Sequence, residues 1–167
     1  MRSQATAALA PTADPVEVQL SQRRPGHAAG CLGSLWIGVW ASEQRVPDLE
    51  SARTTLQRLA REQSTAPCAL TIVVRGAPIM SADVRRCGVE TARALASVID
   101  RAAVVVEGDG LWASMIVSLV THLVLPARIS RIVVHRTLLP AAQYLAGATE
   151  LTPETIASAV ETLRRAC

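Results

Sequence analysis

Phenylalanine, lysine and asparagine are absent from this sequence of 167 residues, and only three tryptophans and one tyrosine are present. The protein core must therefore be filled mainly by Leu, Val, Ile and Ala. All 17 basic residues are arginines, the net charge is +3, and no more than two basic residues are adjacent. Because nucleic-acid-binding proteins concentrate positive charge on one face and stack bases on aromatic rings, this composition argues against a nucleic-acid partner.

Motifs for metal binding and for nucleophilic catalysis are also missing. The four cysteines form no C-x-x-C pair and have no histidine at metal-ligand spacing, and there is no G-x-S-x-G sequence. Four cysteines could form two disulfides, but two of them fall in predicted core elements, where a free thiol packs as a small apolar group. We therefore expect reduced thiols in a cytoplasmic protein that has no metal, cofactor or enzymatic activity. The cysteines are Cys31, Cys68, Cys87 and Cys167.

No segment has the features of a membrane span or of a secretory signal. The most apolar stretch, 111–125, is shorter than the roughly 20 residues that a span needs, and its Ser, Thr and His residues fit a buried core helix better. The N-terminal residues lack a leucine-rich apolar region. Residues 1–14 are rich in Ala, Ser, Thr and Pro without periodicity, so we predict a disordered tail followed by one domain over 15–167.

What is present is centred on residues 103–135, which predict a strand, a turn, a helix and a second strand. Residues 103–106 and 129–134 are β-branched runs without polar alternation, as in strands covered on both faces. Between them, the turn sequence Glu-Gly-Asp-Gly precedes the apolar segment 111–125, which ends at Pro126. This βαβ unit, whose crossover should be right-handed, indicates an α/β protein.

Strands and helices alternate along most of the chain. Short apolar runs predict strands, and stripes of apolar residues at helical spacing predict helices. The predicted strands are 16–20, 34–40, 68–74, 103–107 and 129–135, with 21–33 as a loop, and the predicted helices are 47–63, 81–100, 111–125, 137–146 and 152–167. We therefore expect a mostly parallel sheet of four or five strands with an N-terminal hairpin strand, covered by helices, and an extra C-terminal helix over 152–167.

This order of elements, the VVVEGDGLW strand-to-helix turn and the closing IVVHRTLLPAAQYLAG segment resemble the STAS family, the sulfate transporter and anti-sigma-factor antagonist domains. The resemblance covers about residues 16–146 and is strongest to small stand-alone bacterial members. It implies a non-enzymatic regulatory domain whose helices pack on one face and leave the loop after the central strand exposed to a protein partner. In the family this loop carries an Asp-Ser or Asp-Thr pair at a helix N-terminus, where a partner kinase phosphorylates the hydroxyl.

Two expectations follow from the resemblance. In this sequence Ser81 matches the phosphorylated hydroxyl, and Met80 stands in place of the Asp. The lipid-binding CRAL-TRIO domains have a related layout, which implies an alternative function: a carrier of a small apolar or lipid ligand, lined by helix 111–125.

The loop 75–83 is the candidate partner-binding surface. Ile79 and Met80 place two large apolar side chains in a loop, and exposed apolar residues often mark interaction surfaces. Either these side chains bind a partner or they fold back over the core. Ser81 is a candidate phosphoacceptor, with Arg85 one turn further on to stabilise added negative charge. The alternative, which the missing Asp favours, is that Ser81 is a plain helix N-cap.

The remaining candidate groups have structural explanations that we prefer. Glu107 and Asp109 follow a predicted parallel strand, where α/β sheets bind ligands, and two carboxylates could hold Mg²⁺. No third acid or phosphate-binding loop accompanies them, so we interpret them as a turn and a helix cap. His122 and His135 have no catalytic partner in the sequence, and we expect core or boundary positions for both. The tryptophans, Trp36, Trp40 and Trp112, are expected to pack in or beside the core. The sequence leaves homodimer formation open.

Overall fold

The structure is a computed structural model that describes residues 17–124 and 131–167. The predicted tail 1–14 lies outside the described residues, as do Leu125, Pro126 and the start of the strand predicted from 129. The described strands are β1 (Gln19–Arg24), β2 (His27–Leu32), β3 (Leu35–Trp40), β4 (Cys68–Val73), β5 (Ala102–Val106) and β6 (Ile132–His135). The described helices are α1 (Val46–Glu62), α2 (Ala82–Leu95), α3 (Gly110–Val124), α4 (Leu138–Ala146) and α5 (Pro153–Ala166), and none of them is long and apolar enough to cross a membrane.

The described strands form one sheet, in which they are neighbours in the order of the chain. Strand β2 is antiparallel to both of its neighbours, β1 and β3, and β3 to β6 run parallel. The predicted α/β class is therefore confirmed. The expectation of four or five mostly parallel strands is wrong, because the sheet is mixed and has six strands.

The additional strand, β2, lies within residues 21–33, which the sequence predicts as a loop. It pairs with β1 on one side and β3 on the other, and all but its last residue are buried. Gly26 and Gly33, in the turns on either side of it, have φ of 73° and 56°, a conformation that glycine adopts readily. The strand sequence HAAGCL has mostly small side chains, which have little β-propensity. Because Pro and Gly residues that favour turns lie next to it, the sequence pattern predicts a loop.

Helices cover both faces of the sheet. Consecutive parallel strands are neighbours, so right-handed crossovers place α1, α2 and α3 on the same face. On that face Trp36 of β3 packs in one cluster with Leu56 of α1 and Leu95 of α2. On the opposite face Ile37, the next residue of β3, packs in a cluster with Leu163 of α5. The fold therefore has three layers, with the sheet in the middle.

Helix α3 is buried along one face only, so the expected burial of a core helix over 111–125 applies to that face and not to the other. The residues that it buries against the ends of β4 and β5 are Ala113, Ile116 and Val120. On its outer face the side chains of Leu111 and Met115 are 78% and 42% exposed. The sheet lies on one side of the helix, so the apolar residues of the other side form part of the protein surface.

The C-terminal helix predicted over 152–167 is present as α5. The Thr152 hydroxyl oxygen accepts a hydrogen bond from the backbone N–H of Thr155 at 3.2 Å, and Pro153 follows in the first turn, where its missing N–H costs nothing. The helix buries one stripe completely against the sheet: Ile156, Ala159, Val160 and Leu163. This packing closes the face of the sheet opposite α1, α2 and α3.

Candidate functional site

The loop 75–83 leaves the carboxyl end of β4 and is held against α3. The indole N–H of Trp112 donates a hydrogen bond to the carbonyl oxygen of Ala77 at 3.1 Å, and Ala77 itself is buried. The backbone N–H of Ala77 also donates to the carbonyl oxygen of Val74 at 3.1 Å. These contacts fix the first half of the loop, so the second half starts from a defined position between α2 and α3.

Ile79 and Met80 lie in different environments, although they are adjacent in sequence. The side chain of Ile79 is 45% exposed. It lines a shallow surface groove between the loop, α2 and α3, which we call the apolar groove: Ile79, Arg85, Met115, Ser118, Leu119 and His122. Met80 is half-buried and lines an internal cavity instead. Met80 therefore covers the core, Ile79 lies at the surface, and binding of a partner by Ile79 stays a prediction.

The polar residues of the apolar groove include no acid among the residues that the structure describes. Arg85 is exposed, and its guanidinium donates to the carbonyl oxygen of Met80 at 3.3 Å. Neighbouring Arg86 is engaged with the Asp83 carboxylate at 2.8 Å. His122 is exposed on the other side of the groove, so its predicted core or boundary position is wrong. The groove thus combines an apolar floor with an arginine available to an anionic group.

Ser81 caps helix α2, as the sequence predicts. Its hydroxyl oxygen accepts a hydrogen bond from the backbone N–H of Val84 at 3.4 Å, and the residue is exposed. This hydrogen bond is a sufficient structural reason for a serine at position 81. Phosphorylation of the exposed hydroxyl stays a prediction.

The internal cavity is a partly open pocket of about 180 Å³ between the sheet and helices α1 and α2. Its wall is mostly apolar and includes Trp36 and Trp40 of β3, Met80 of the loop 75–83, and Gly88 and Ala92 of α2. The carrier alternative predicts a ligand site lined by helix 111–125. Val120 alone among the described residues of α3 reaches the wall of this cavity, and the carrier alternative stays a prediction.

The two tryptophans of β3 are core residues, as expected, but their indole nitrogens are unpartnered. Trp36 and Trp40 are 3% and 1% exposed, and neither Nε1 atom has a hydrogen-bond partner among the described residues. The ring of Trp36 lies directly over Gly38, where an added Cβ would come within 2.5 Å of its Cη2 atom. Trp112, half-buried, donates to Ala77 and is the contrasting case.

Glu107 and Asp109 point to different partners. The Glu107 carboxylate forms an ion pair with the Arg164 guanidinium of α5, and this hydrogen bond is the main reason why the pKa of Arg164 is raised. Asp109 is almost fully exposed, with its carboxylate 3.8 Å from the guanidinium of Arg75. Within the described residues no group of three His, Cys, Asp or Glu side chains has the arrangement of a metal site. Glu107 therefore links the end of β5 to α5, while Asp109 makes a separate contact at the surface.

One buried polar residue has no counterpart among the sequence-based candidates. His27 of β2 is fully buried, with its ring stacked on that of Trp40 at a centroid distance of 3.8 Å. Its Nδ1 atom lies 2.9 Å from the carbonyl oxygen of Val39, and burial lowers the pKa of the imidazole. His27 lies in the part of the sequence that is predicted as a loop. Because β2 was not predicted, the burial of His27 was not predicted either.

No protein-family model, no curated protein and no solved structure matches this chain. Its function is therefore inferred from the arrangement of its own residues. The two features that bear on function are the apolar groove beside α3 and the internal cavity beneath α1 and α2.

Proposed function

We propose that the protein is a non-enzymatic, STAS-like regulatory domain that docks a protein partner at the apolar groove. The observation that carries this proposal is the exposure of large apolar side chains around α3 and the loop 75–83. Leu111, Met115 and Ile79 are 78%, 42% and 45% exposed, although a loop and a surface helix can be built from polar residues. Contiguous exposed apolar residues with a polar rim are typical of protein interaction sites.

The chemistry of the apolar groove favours an apolar segment of another protein that carries a carboxylate. Ile79, Met115 and Leu119 supply the apolar surface, and methionine adapts its shape to a partner. Arg85 supplies positive charge that is not neutralised by an acid of the groove, and an arginine binds a carboxylate through two N–H groups at once. A stable interface covers about 800 Å² on each partner, so we expect the contact to extend over Leu111 as well.

The architecture is consistent with the STAS-like part of the proposal. The strands follow one another across the sheet, α1, α2 and α3 pack on one face, and the loop after β4 is exposed beside a helix N-terminus. The four cysteines, Cys31, Cys68, Cys87 and Cys167, are unpaired, which supports a reducing compartment such as the cytoplasm.

Surface variants with matched controls test the docking site. The immobilised full chain would be used to capture partners from the cytoplasm of the source cells, and the affinity of a captured protein would then be measured. Ile79→Ser and Met115→Ser should each weaken that affinity by about 30-fold, the effect of losing a 2 kcal/mol interface contact. Leu139→Ser is the control, because Leu139 is 61% exposed on α4, away from the apolar groove.

Charge reversal and oligomeric state test the nature of the partner. Arg85→Glu should weaken binding, whereas Arg93→Glu, an exposed arginine near the other end of α2, should not. Equal losses in the groove variants and in the controls would contradict docking at this site. Light scattering tests whether the partner is a second copy of this chain. A homodimer that dissociates in the Met115→Ser variant would show that the apolar groove binds another copy and not a different protein.

A second candidate function is the carriage of a small apolar ligand, and the internal cavity is the observation that favours it. Native mass spectrometry of the purified protein tests this function, because a ligand that co-purifies with the protein adds to its mass. Ile79→Ser should leave any such ligand bound, because Ile79 lines the apolar groove and not the cavity. The two functions are therefore separable by one variant.

A further inference from the structure

We propose that Arg75 and Arg136 bind the phosphoryl group of a phosphate monoester at the carboxyl edge of the sheet. The proposal rests on the topology of the sheet at this edge, on the position of both guanidiniums beside Gly108, and on their lack of carboxylate hydrogen bonds. It goes beyond the proposed function, because neither arginine lines the apolar groove or the internal cavity.

The edge between β5 and β6 is a topological switch point of the sheet. Val104 and Val106 of β5 pack in one cluster with α3, the helix that follows β5. The alternate residues Ala103 and Val105 pack in the cluster of the opposite face, to which α4, the helix after β6, contributes Ala141. The chain therefore leaves two neighbouring parallel strands toward opposite faces of the sheet. Open α/β sheets bind ligands outside the carboxyl ends of their strands at such a point.

Gly108 lies at this point, and an arginine approaches it from either side. It follows β5 with φ of 101°, a conformation that favours glycine. Arg75, which follows β4, has its Nε atom 2.9 Å from the position that a Cβ at residue 108 would occupy. Arg136, which follows β6, donates from Nη1 to the carbonyl oxygen of Gly108 at 3.5 Å. Both arginines therefore contact one residue that has no side chain to separate them.

The two guanidiniums keep most of their N–H groups for an anion. The side chain of Arg75 is 71% exposed, and it donates no hydrogen bond to any residue that the structure describes. Arg136 is also exposed, and within the described chain its one acceptor is the carbonyl oxygen of Gly108. Because a guanidinium binds an oxyanion through two parallel N–H groups, the two arginines together offer four such groups to one ligand.

The acids near this edge leave both arginines able to bind a ligand. Glu107 and Glu161 pair with the Arg164 guanidinium of α5. The Asp109 carboxylate lies 3.8 Å from Nη2 of Arg75, beyond hydrogen-bond distance, and its side chain is 94% exposed. Water and salt weaken such an exposed pair, so an anion with more charge than a carboxylate should displace Asp109 from Arg75.

The number of donors favours a phosphoryl group over a carboxylate. A carboxylate has two oxygens and one negative charge, which a single arginine can pair through both of its parallel N–H groups. A phosphate monoester has three terminal oxygens and a charge of about −1.5 to −2 at pH 7. It can therefore contact Arg75 and Arg136 together. The monoester may belong to a small molecule or to a phosphorylated side chain, and the experiments below distinguish these sources.

Nuclear magnetic resonance of the full chain at low salt tests the proposal. Phenyl phosphate and phenyl sulfate are matched probes, because both have a phenyl ring and a tetrahedral anion but the sulfate ester carries only one negative charge. We expect phenyl phosphate to shift the backbone N–H signal of Gly108 and the Nε–H signals of Arg75 and Arg136. Phenyl sulfate should bind several-fold more weakly. The Nε–H signal of Arg93, an exposed arginine of α2, is the internal control and should not move.

Variants with opposite expected effects identify the binding residues. Arg75→Gln and Arg136→Gln should each weaken phenyl phosphate binding about tenfold, as expected from the loss of a charged hydrogen bond. Arg93→Gln should not weaken it. Asp109→Asn should strengthen binding about threefold, because it removes the acid that competes for Arg75. The replaced side chains are all exposed, and thermal melting shows that each variant folds.

A short peptide with a central phosphoserine distinguishes the two sources of the phosphoryl group. Peptide binding that is tighter than that of phenyl phosphate and weakened in Arg75→Gln supports the site and assigns its ligand to a phosphorylated protein. Phenyl phosphate binding that is equal or tighter supports the site and assigns it to a small molecule.

Three results would overturn the proposal. They are the absence of shifts with phenyl phosphate, shifts that spread equally to Arg93, and equal binding by Arg75→Gln, Arg136→Gln and the wild type. None of them bears on the docking or carrier functions, because the tests of those functions use other residues.

Discussion

Truncation of two adjacent residues of α3 should have very different effects on stability. Ile116 is 2% exposed and packs in the cluster beneath α3, whereas Met115 is 42% exposed in the apolar groove. Replacing a buried isoleucine by alanine removes apolar contacts and leaves a cavity, at a cost of about 2–5 kcal/mol. The cluster lies at one end of the sheet, where neighbours can partly close the space, so we expect about 3 kcal/mol for Ile116→Ala.

Urea and thermal unfolding measure this difference directly. For a protein of this size each 1 kcal/mol lowers the melting temperature by about 2–4 °C, so Ile116→Ala should melt roughly 6–12 °C below the wild type. Met115→Ala should remain within about 0.5 kcal/mol of it, as surface substitutions usually do. The urea m-values should be equal, because both variants reach the same folded and unfolded states.

Two results would refute the reasoning. If both variants lost about 3 kcal/mol, α3 would be buried on both sides and the apolar groove would not be a free surface. If neither lost stability, α3 would not be packed against the ends of β4 and β5. In either case the docking proposal would lose the observation that supports it.

Four further predictions follow. Burial keeps the pKa of His27 below its unfolded value of about 6.5, so the free energy of unfolding should fall as pH decreases through and below 6.5, by at most about 1.4 kcal/mol per unit in urea titrations between pH 5 and 7. Gly38→Ala should cost about 1–3 kcal/mol by displacing the Trp36 ring, visible as a change in near-ultraviolet circular dichroism. Ser81→Ala should cost about 1 kcal/mol in urea unfolding through loss of the helix cap, while Ser81→Gly should cost only a few tenths. Deletion of residues 1–14 should leave the melting temperature unchanged, and a large drop would show that these residues contribute to the fold.

Local patterns in the sequence determined most of the secondary structure. The predicted strand 68–74 and helix 47–63 agree with β4 and α1 to within one or two residues. The caps Ser81 and Thr152 were also identifiable, because a cap is formed by a side chain and a backbone group three residues away. Such features depend on neighbouring residues alone, and those neighbours are visible in the sequence.

The tertiary structure alone decided which apolar surfaces are covered. The outer face of α3 carries Met115 beside Ser118 and His122, and the tertiary structure leaves Met115 at the surface while the adjacent Ile116 packs against the ends of β4 and β5. In the same way Ile79 and Met80 are equivalent in sequence, but the loop directs one to the apolar groove and the other to the internal cavity. Burial depends on elements that are distant along the chain, and periodicity does not record where those elements lie.

The tertiary structure also decided which distant residues pair and where space remains between side chains. Glu107 pairs with Arg164, which is 57 residues away, and no spacing rule connects an acid after β5 to an arginine of α5. The internal cavity arises where α1 and α2 cross the sheet above Trp36 and Trp40. A sequence specifies side chains but not the volume left between them, so Trp36 and Trp40 were identifiable as core residues and the cavity beside them was not.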